Sequence, residues 1–415
     1  MLDIKYIREN KELVKEVCRL REVDDRVDEL LECYEELKTL QFEIDTLKHQ
    51  KNTKTQHINE LKKKNETVEG LIEELKKVNI QIKEKQKQYG ELEIQYTQLL
   101  YTIPNMMHES VPLGDEDREE YRGGEFRTFD FQPLTNWEMF EKKKLADFKA
   151  GIQVAGDRGY VLKGVAVELY RAILQYCTDF FREKGYAEVL PPYFVNEEHL
   201  YTTGHYPQGK DEVYKTEDGK VFVGTGEISI LAMHANTLLR KKELPLKLMT
   251  QTSCFRREAG NHKDDKGLYR THQFDKLELI HISNQEDAQQ EYESMFEDLK
   301  ELYNKLELPF RIITLRANDM ARKAVIERDI ELWYEAEQRW GEIGSYGLTN
   351  DFQARRGNIR YEGEGEVKYA YTTYATGCSP HRILIGIMNN NQQKNRTIIN
   401  MLVERKSFNE SIYCK

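Results

Sequence analysis

The chain reads as an α+β protein in two parts: an N-terminal helical domain with a long antiparallel two-helix coiled-coil arm (1–108), and a domain on an antiparallel sheet (109–415). Three observations predict this. Apolar residues recur at spacings of four and three in two proline-free runs between about 23 and 101. Ile103-Pro104-Asn105 then stops the pattern, and an acidic segment bearing glycine and proline (Val111–Glu120) leads onward. From about residue 120, short β-rich segments mix with helices without regular strand–helix alternation. No GxGxxG occurs, which argues against a doubly wound nucleotide fold.

In the arm, the first run is Val23, Val27, Leu30, Tyr34, Leu37, Gln41 and Ile44. The second is Leu71, Leu75, Val78, Ile82, Lys85, Tyr89, Leu92, Tyr96 and Leu99. A period near 3.5 sustained over so many turns is that of a coiled coil. The pattern lapses between Lys51 and Gly70, so two helices are expected to fold back on each other as an arm of roughly 50 Å. Lys48, Lys51, Lys54, Lys62, Lys63 and Lys64 gather at its tip with Glu60 between them. Heptads alone equally suit an oligomerisation coil, and a lysine run is most often a solvated face. Lysines at the end of a projecting hairpin, in a chain of net charge −10, nevertheless fit a salt-sensitive contact with an RNA backbone.

In the second domain, Val165–Lys184 has helical spacing and stops at Gly185, and Glu188-Val189-Leu190 reads as a strand before Pro191-Pro192. Further strands are expected at Lys220–Gly224, Lys247–Arg257, Arg270–Ile282, Arg311–Leu315, Trp340–Ser345 and Lys368–Tyr374, with a helix over Asp287–Leu306.

A length of 415 residues accommodates a large globular domain and an extension. The negative net charge excludes a general nucleic-acid coat, so a polyanion must meet a local patch. Cys18, Cys33, Cys177, Cys254, Cys378 and Cys414 form no CxxC pair, which argues against structural zinc and a disulfide framework. The N-terminus is charged, and no apolar run is long enough to span a bilayer. A reduced, soluble, cytoplasmic protein is expected, with neither membrane nor DNA among its partners.

Chemistry concentrates between Cys254 and Ile280. Arg256, Arg257 and Glu258 precede a polar loop, and Arg270, Phe274, Asp275 and Glu278 follow it. Two strands joined in this way place guanidinium groups, an aromatic face and carboxylates on one surface. That set suits a nucleoside triphosphate, because arginine forks match phosphate oxygens and a ring can stack on a base.

This hairpin resembles motif 2 of the class II aminoacyl-tRNA synthetases, in the form of the bacterial-type seryl-tRNA synthetase family. The likeness is collinear over nearly the whole chain. MLDIKYIREN resembles the family's first helix, and the arm with IPNMMHESVPLG sits where the family has its tRNA-binding arm. GYAEVLPPYFVNEE resembles motif 1, with Pro191 at the dimer interface. TTGHYPQGKDEVY, GTGE, ELPLK, KLELPFR, DFQARR and an arginine at the motif 3 position, Arg382, follow in order.

The resemblance implies a class II antiparallel-sheet catalytic domain that activates serine with ATP and transfers it to the 3′ end of tRNA(Ser), acting as a homodimer. Arg256 would hold the α-phosphate and substrate carboxylate, and with Arg382, at the γ-phosphate, would be catalytic. Glu258, Arg270 and Phe274 would meet ATP, Phe274 by stacking on adenine. Glu342 and Ser345 would hold ATP and Mg2+, for which carboxylate and hydroxyl oxygens are apt ligands. Thr225, Glu227, Arg256, Glu278, Tyr374 and Thr376 would bind the amino acid. Lys51, Lys54, Lys62, Lys63 and Lys64 would bind tRNA. The Gly260–Tyr269 loop would approach ATP and the tRNA acceptor end.

The chain departs from the family pattern near the amino acid. A TAE-type turn reads Thr225-Gly226-Glu227. The motif 3 asparagine becomes Tyr374, while Thr376 keeps a hydroxyl. An AAKTYD-like stretch reads Ala324–Asp329, with Ile326 in place of a lysine. EISSCSNCTDFQ becomes EIGSYGLTNDFQ, with Tyr346 and Leu348 replacing small or polar residues. Asn389 stands for a glutamate, and the tail past Gln393 lacks the usual closing pattern. These changes are expected to cluster around the substrate side chain more than around ATP. They leave two other readings open: a paralogue that loads another small amino acid, and a non-catalytic tRNA-binding regulator.

Overall fold

The computed structural model describes residues 1–259 and 267–393. The part of the motif 2 loop between residues 259 and 267, the tail past 393 and Cys414 lie outside the described residues. Two compact units emerge, Leu2–Pro104 and Asn105 onward.

In the first unit, short helices Ile4–Glu9 and Lys11–Leu20 precede the long pair Val27–Lys63 and Glu69–Thr102. The longer has 37 residues, about 55 Å at 1.5 Å per residue. Tyr34 meets Tyr96 with ring centroids 5.9 Å apart, Glu43 pairs with Lys85 at 2.6 Å, and Lys54 pairs with Glu74. Partners thus advance along one helix as they retreat along the other, which makes the pair antiparallel. Val27, Leu30, Leu37, Ile44, Val78, Ile82 and Leu99 are buried as the heptads require. Ile58 is buried too, so the first helix continues through the stretch where its sequence pattern lapses.

The described residues of the second unit contain thirteen strands: β1 (Arg118–Gly123), β2 (Ala187–Glu188), β3 (Phe194–Asn196), β4 (Lys220–Phe222), β5 (Leu238–Arg240), β6 (Leu246–Phe255), β7 (Gln273–Ser283), β8 (Phe310–Thr314), β9 (Ile326–Tyr334), β10 (Arg339–Asn350), β11 (Arg360–Glu362), β12 (Val367–Tyr369) and β13 (Tyr371–Cys378). Eight of them form the main sheet, in the order β1-β8-β9-β10-β13-β7-β6-β2. Every neighbouring pair is antiparallel except β2–β6.

Helices Val165–Glu183 and Ala288–Lys305 fall close to their expected bounds. Strand β9 is absent from the sequence reading. Its Ile326, Ile330, Leu332 and Tyr334 are buried on one face, with Arg328 among them over the rings of Tyr292 and Phe296, while Glu327, Asp329, Glu331 and Trp333 occupy the other. The site is framed by two further helices. Gly226–Met233 is capped by the Thr225 hydroxyl, which accepts from the Glu227 amide. Pro380–Asn390 starts directly after β13, with proline in its first turn.

Candidate functional site

The β6–β7 hairpin is in register from Leu246 opposite Ile282 to Phe255 opposite Gln273, and the Arg256 amide extends it by donating to His272 O at 2.9 Å. The strands therefore end two residues short of Arg257 and begin three after Arg270. Alternation on β7 places Phe274, Lys276 and Glu278 on one face, above a cavity of about 240 Å³. All the predicted ATP and amino-acid residues line this cavity: Thr225, Glu227, Arg256, Glu258, Arg270, Phe274, Glu278, Glu342, Ser345, Tyr374, Thr376 and Arg382.

At the nucleotide end, the Arg256 guanidinium lies 5.3 Å from the centre of the Phe274 ring, and the His381 ring stands 5.1 Å from Phe274. Arg256 Nε donates to Gly224 O at 3.1 Å, which fixes the fork. Arg270 Nη1 is 3.4 Å from Glu258 Oε2, so two predicted ATP contacts are partners of each other. Arg382 pairs with Glu342 Oε1 at 3.2 Å, donates to Glu342 O at 2.9 Å, and lies 4.7 Å from the Tyr269 ring centre. Burial opposes the charge on Glu342, but Arg382, Arg256 and Arg270 outweigh it and hold the carboxyl below its usual range.

A β-bulge between Glu342 and Gly344 lets Glu342 and Ser345, three apart, both face the cavity. Asp329 is opposite Ser345, and its Oδ1 is buried without a hydrogen-bond partner. Among the described residues no group of three or more His, Cys, Asp or Glu could hold a metal ion. Magnesium is usually held by one or two carboxylates with substrate phosphates and water, and the oxygen donors here fit that mode.

At the amino-acid end, Thr225 Oγ1 donates to Glu278 Oε2 at 2.6 Å, and Lys276 pairs with the same oxygen. Burial pushes the Glu278 carboxyl up, Lys276 draws it down, and the negative Glu227 adds to the rise. Lys323 Nζ donates to Glu227 Oε2 at 2.6 Å, and Gln353 Nε2 donates to Glu227 Oε1 at 2.6 Å. Burial would raise Glu227, but Lys323 dominates the remaining influences and its carboxyl ends below its usual range. The Tyr374 hydroxyl donates to Glu327 Oε1; burial and then Glu327 push its phenol well up, so it stays a donor.

Lys323, Lys276, Glu327 and Gln353 escaped the sequence reading. Lys276 was legible, since it lies two residues from both Phe274 and Glu278 on one strand. Lys323 was not, because its place depends on Asn105, whose Nδ2 donates to the Lys323 and Thr349 carbonyls at 2.8 Å each.

The departures divide between two sheet faces, which corrects the expectation that they cluster at the substrate. Ile326 lies on the back, next in sequence to Glu327, and the cationic group here is Lys323 instead. Tyr346 also faces backward, stacked 4.4 Å from Tyr292 and donating to its carbonyl at 2.5 Å. Asn389 anchors a turn by accepting from the Ala336 amide at 3.0 Å and donating to Glu337 at 2.5 Å. Gly226 has a steric reason: a Cβ there would stand 2.5 Å from Thr250 Cγ2 and 3.0 Å from Thr252 Oγ1.

On the arm, Lys51, Lys62, Lys63 and Lys64 are exposed, whereas Lys54 is half-buried and bound to Glu74 on the facing helix.

Residues 1–107 match the family model of the seryl-tRNA synthetase N-terminal domain, and 213–391 match that of the tRNA synthetase class II core domain (G, H, P, S and T). The chain is 35% identical over 409 residues to the serine–tRNA ligase of Thermodesulfovibrio yellowstonii, covering 96% of each. It is 36% identical over 409 residues to that of Thermotoga maritima, again covering 96% of each. Seryl-tRNA synthetase of Pyrococcus horikoshii, solved with ATP, superposes with a TM-score of 0.87 at 31% identity, covering 95% of each chain. The cytoplasmic enzyme of Naegleria fowleri, solved with AMP, gives 0.82 at 25% identity, covering 95% of this chain and 94% of that one. With its paired-helix arm, its antiparallel sheet and these matches along the whole chain, the protein belongs to the seryl-tRNA synthetase family of class II aminoacyl-tRNA synthetases.

Proposed function

We propose that the chain activates serine with ATP as seryl-adenylate and transfers the seryl group to the 3′ end of tRNA(Ser). One observation carries this reading: the Arg256 fork lies on the Phe274 face at one end of a sheet surface whose next rows hold Glu278 and Thr376. ATP with adenine at Phe274 and its γ-phosphate at Arg382 has its α-phosphate at Arg256. The serine carboxylate shares that fork, and its ammonium is directed to the Glu278–Thr225 pair.

A serine carboxylate oxygen attacks the α-phosphorus, the α–β phosphoanhydride bond breaks, and pyrophosphate leaves. A tRNA ribose hydroxyl then attacks the seryl carbonyl, AMP departs with the bonding pair, and the hydroxyl proton passes to solvent. Arg256 neutralises charge on the α-phosphate as it becomes five-coordinate, and Arg382 does so on the leaving pyrophosphate. Glu342 and Ser345 would hold Mg2+, which would supply further neutralisation of phosphate charge. No residue forms a covalent intermediate, so catalysis rests on position and charge.

The exposed lysines at the arm tip are assigned to tRNA. A second copy is assigned to the Gly185–Glu198 segment, where Leu190 is 80% exposed. No described helix is long and apolar enough to cross a membrane, and the cytoplasm is the proposed compartment. Tyr374 supports one further reading, a paralogue that loads a different small amino acid. Amino-acid-dependent pyrophosphate exchange over a panel decides: exchange with serine supports the proposal, and exchange only with another amino acid replaces it with the paralogue.

A further inference from the structure

Alternation along β7 sets Phe274, Lys276, Glu278 and Ile280 in order on the cavity face. Strand β13 aligns Thr376 with Glu278, and Tyr374 with Ile280. Arg256, lying on Phe274, marks the nucleotide end of this row. Tyr374 therefore stands one step beyond the Glu278–Thr376 pair, about 7 Å along the strand. It is at the end away from the nucleotide, where the cavity meets a buried cluster of Ile230, Leu231, Ile280 and Ala354.

The position of its ring follows from the opposite strand. Gly347 is paired with Tyr374 on one side and with Glu327 on the other. The Tyr374 ring crosses over this glycine: a Cβ there would come within 2.7 Å of the phenol oxygen and 2.8 Å of Cζ. The hydroxyl thereby reaches Glu327 Oε1, 47 residues away in sequence. Lys323 Nζ caps the ring 3.8 Å from its centre, and its charge is taken up by Glu227, itself held by Gln353. The same pairing of a glycine with a larger neighbour recurs one row nearer the nucleotide, where a Cβ on Gly344 would stand 2.6 Å from Thr376 Cβ.

We propose that Tyr374, seated over Gly347 and tied to Glu327, is the end wall of the amino-acid pocket and restricts it to side chains of serine's size. The inference rests on reading this cavity as an amino-acid-activating centre. The wall bonds to itself throughout: Tyr374 to Glu327, Lys323 to Glu227, Gln353 to Glu227. A side chain one methylene longer meets the Tyr374 ring, whose hydroxyl is already bonded to Glu327. The serine hydroxyl is read one row earlier, by Thr376, opposite the Glu278 that takes the ammonium.

The test is ATP–pyrophosphate exchange by the full-length chain with serine and with homoserine, which is longer by one methylene. Wild type should favour serine by about tenfold or more in kcat/KM, the range one methylene commands. Tyr374→Phe keeps the bulk and loses the Glu327 bond, so its serine-to-homoserine ratio should remain within about threefold of wild type. Tyr374→Ala should lower that ratio by about tenfold or more, through a gain in kcat/KM for homoserine. If Tyr374→Ala does not fold, as a thermal melt would reveal, Tyr374→Leu shortens the wall with less loss of volume and carries the same expectation. A folded, active shortened variant with an unchanged ratio overturns the wall and leaves the activation reading intact. A wild-type protein that exchanges with no amino acid overturns both.

Discussion

Lys323 Nζ stands 3.8 Å from the centre of the Tyr374 ring and 2.6 Å from Glu227 Oε2, with both side chains of the ion pair almost wholly buried. One cation therefore serves two neighbours, the carboxylate by charge and the aromatic ring by its negative face. Removing it leaves Glu227 charged and uncompensated in the interior. Lys323→Met should lower stability by about 3–5 kcal/mol, and pairing it with Glu227→Gln should recover part of that loss. Denaturant midpoints of the single and double variants check this; a double variant no more stable than Lys323→Met would refute it.

Arg256 is fixed by Gly224 O, lies over Phe274 and lines the cavity. Arg256→Lys keeps the charge but loses the bidentate fork. Pyrophosphate exchange should fall by about 10²-fold or more while the melting temperature changes little. Exchange within a few-fold of wild type would remove Arg256 from the chemistry.

The Glu278 carboxyl is pushed above the 4.5 of an ordinary glutamate, first by burial, while Lys276 opposes the rise. A substrate ammonium needs the ionised form, so kcat/KM for serine should fall on the acid side at a pH above 4.5. Lys276 favours ionisation, and deleting its charge must therefore raise the carboxyl further. In Lys276→Met the acid limb of the pH profile should move to higher pH. A limb that stays in place would show that another group sets it.

At the arm tip, Lys62, Lys63 and Lys64 are exposed. Replacing all three by alanine should weaken tRNA binding and flatten the log–log salt dependence by about 0.9 for each phosphate no longer neutralised. Adenylate formation should be unchanged. Anisotropy titrations with tRNA at several salt concentrations check this, and an unaltered slope would place the tRNA interface elsewhere.

Gly226 sits against Thr250 and Thr252 with no space for a side chain. Gly226→Ala should destabilise by about 1–3 kcal/mol, since overpacking forces neighbours to shift. Adding Thr250→Ala, which removes the atom 2.5 Å from the new Cβ, should restore stability in thermal melts.

By itself, the sequence determined what depends on near-neighbour spacing. The period of 3.5 specified the arm, Pro104 and the following segment marked its end, and the two-residue alternation around Phe274 and Glu278 specified a hairpin with one chemical face. The order of motifs along the chain supplied the family, and with it Arg256, Glu342, Thr376 and Arg382, all of which line one cavity. Only the tertiary structure decided which side chains fill the spaces between them. Lys323 meets Glu227 across 96 residues and Tyr374 meets Glu327 across 47, pairings that rest on strand register and on the Asn105 anchor rather than on any local pattern. The substitutions to Gly226, Gly344 and Gly347 look like losses when the chain is read in a line. In three dimensions each faces a larger partner, Thr250, Thr376 and Tyr374, because close packing fixes the volume shared by neighbours and not the size of either one.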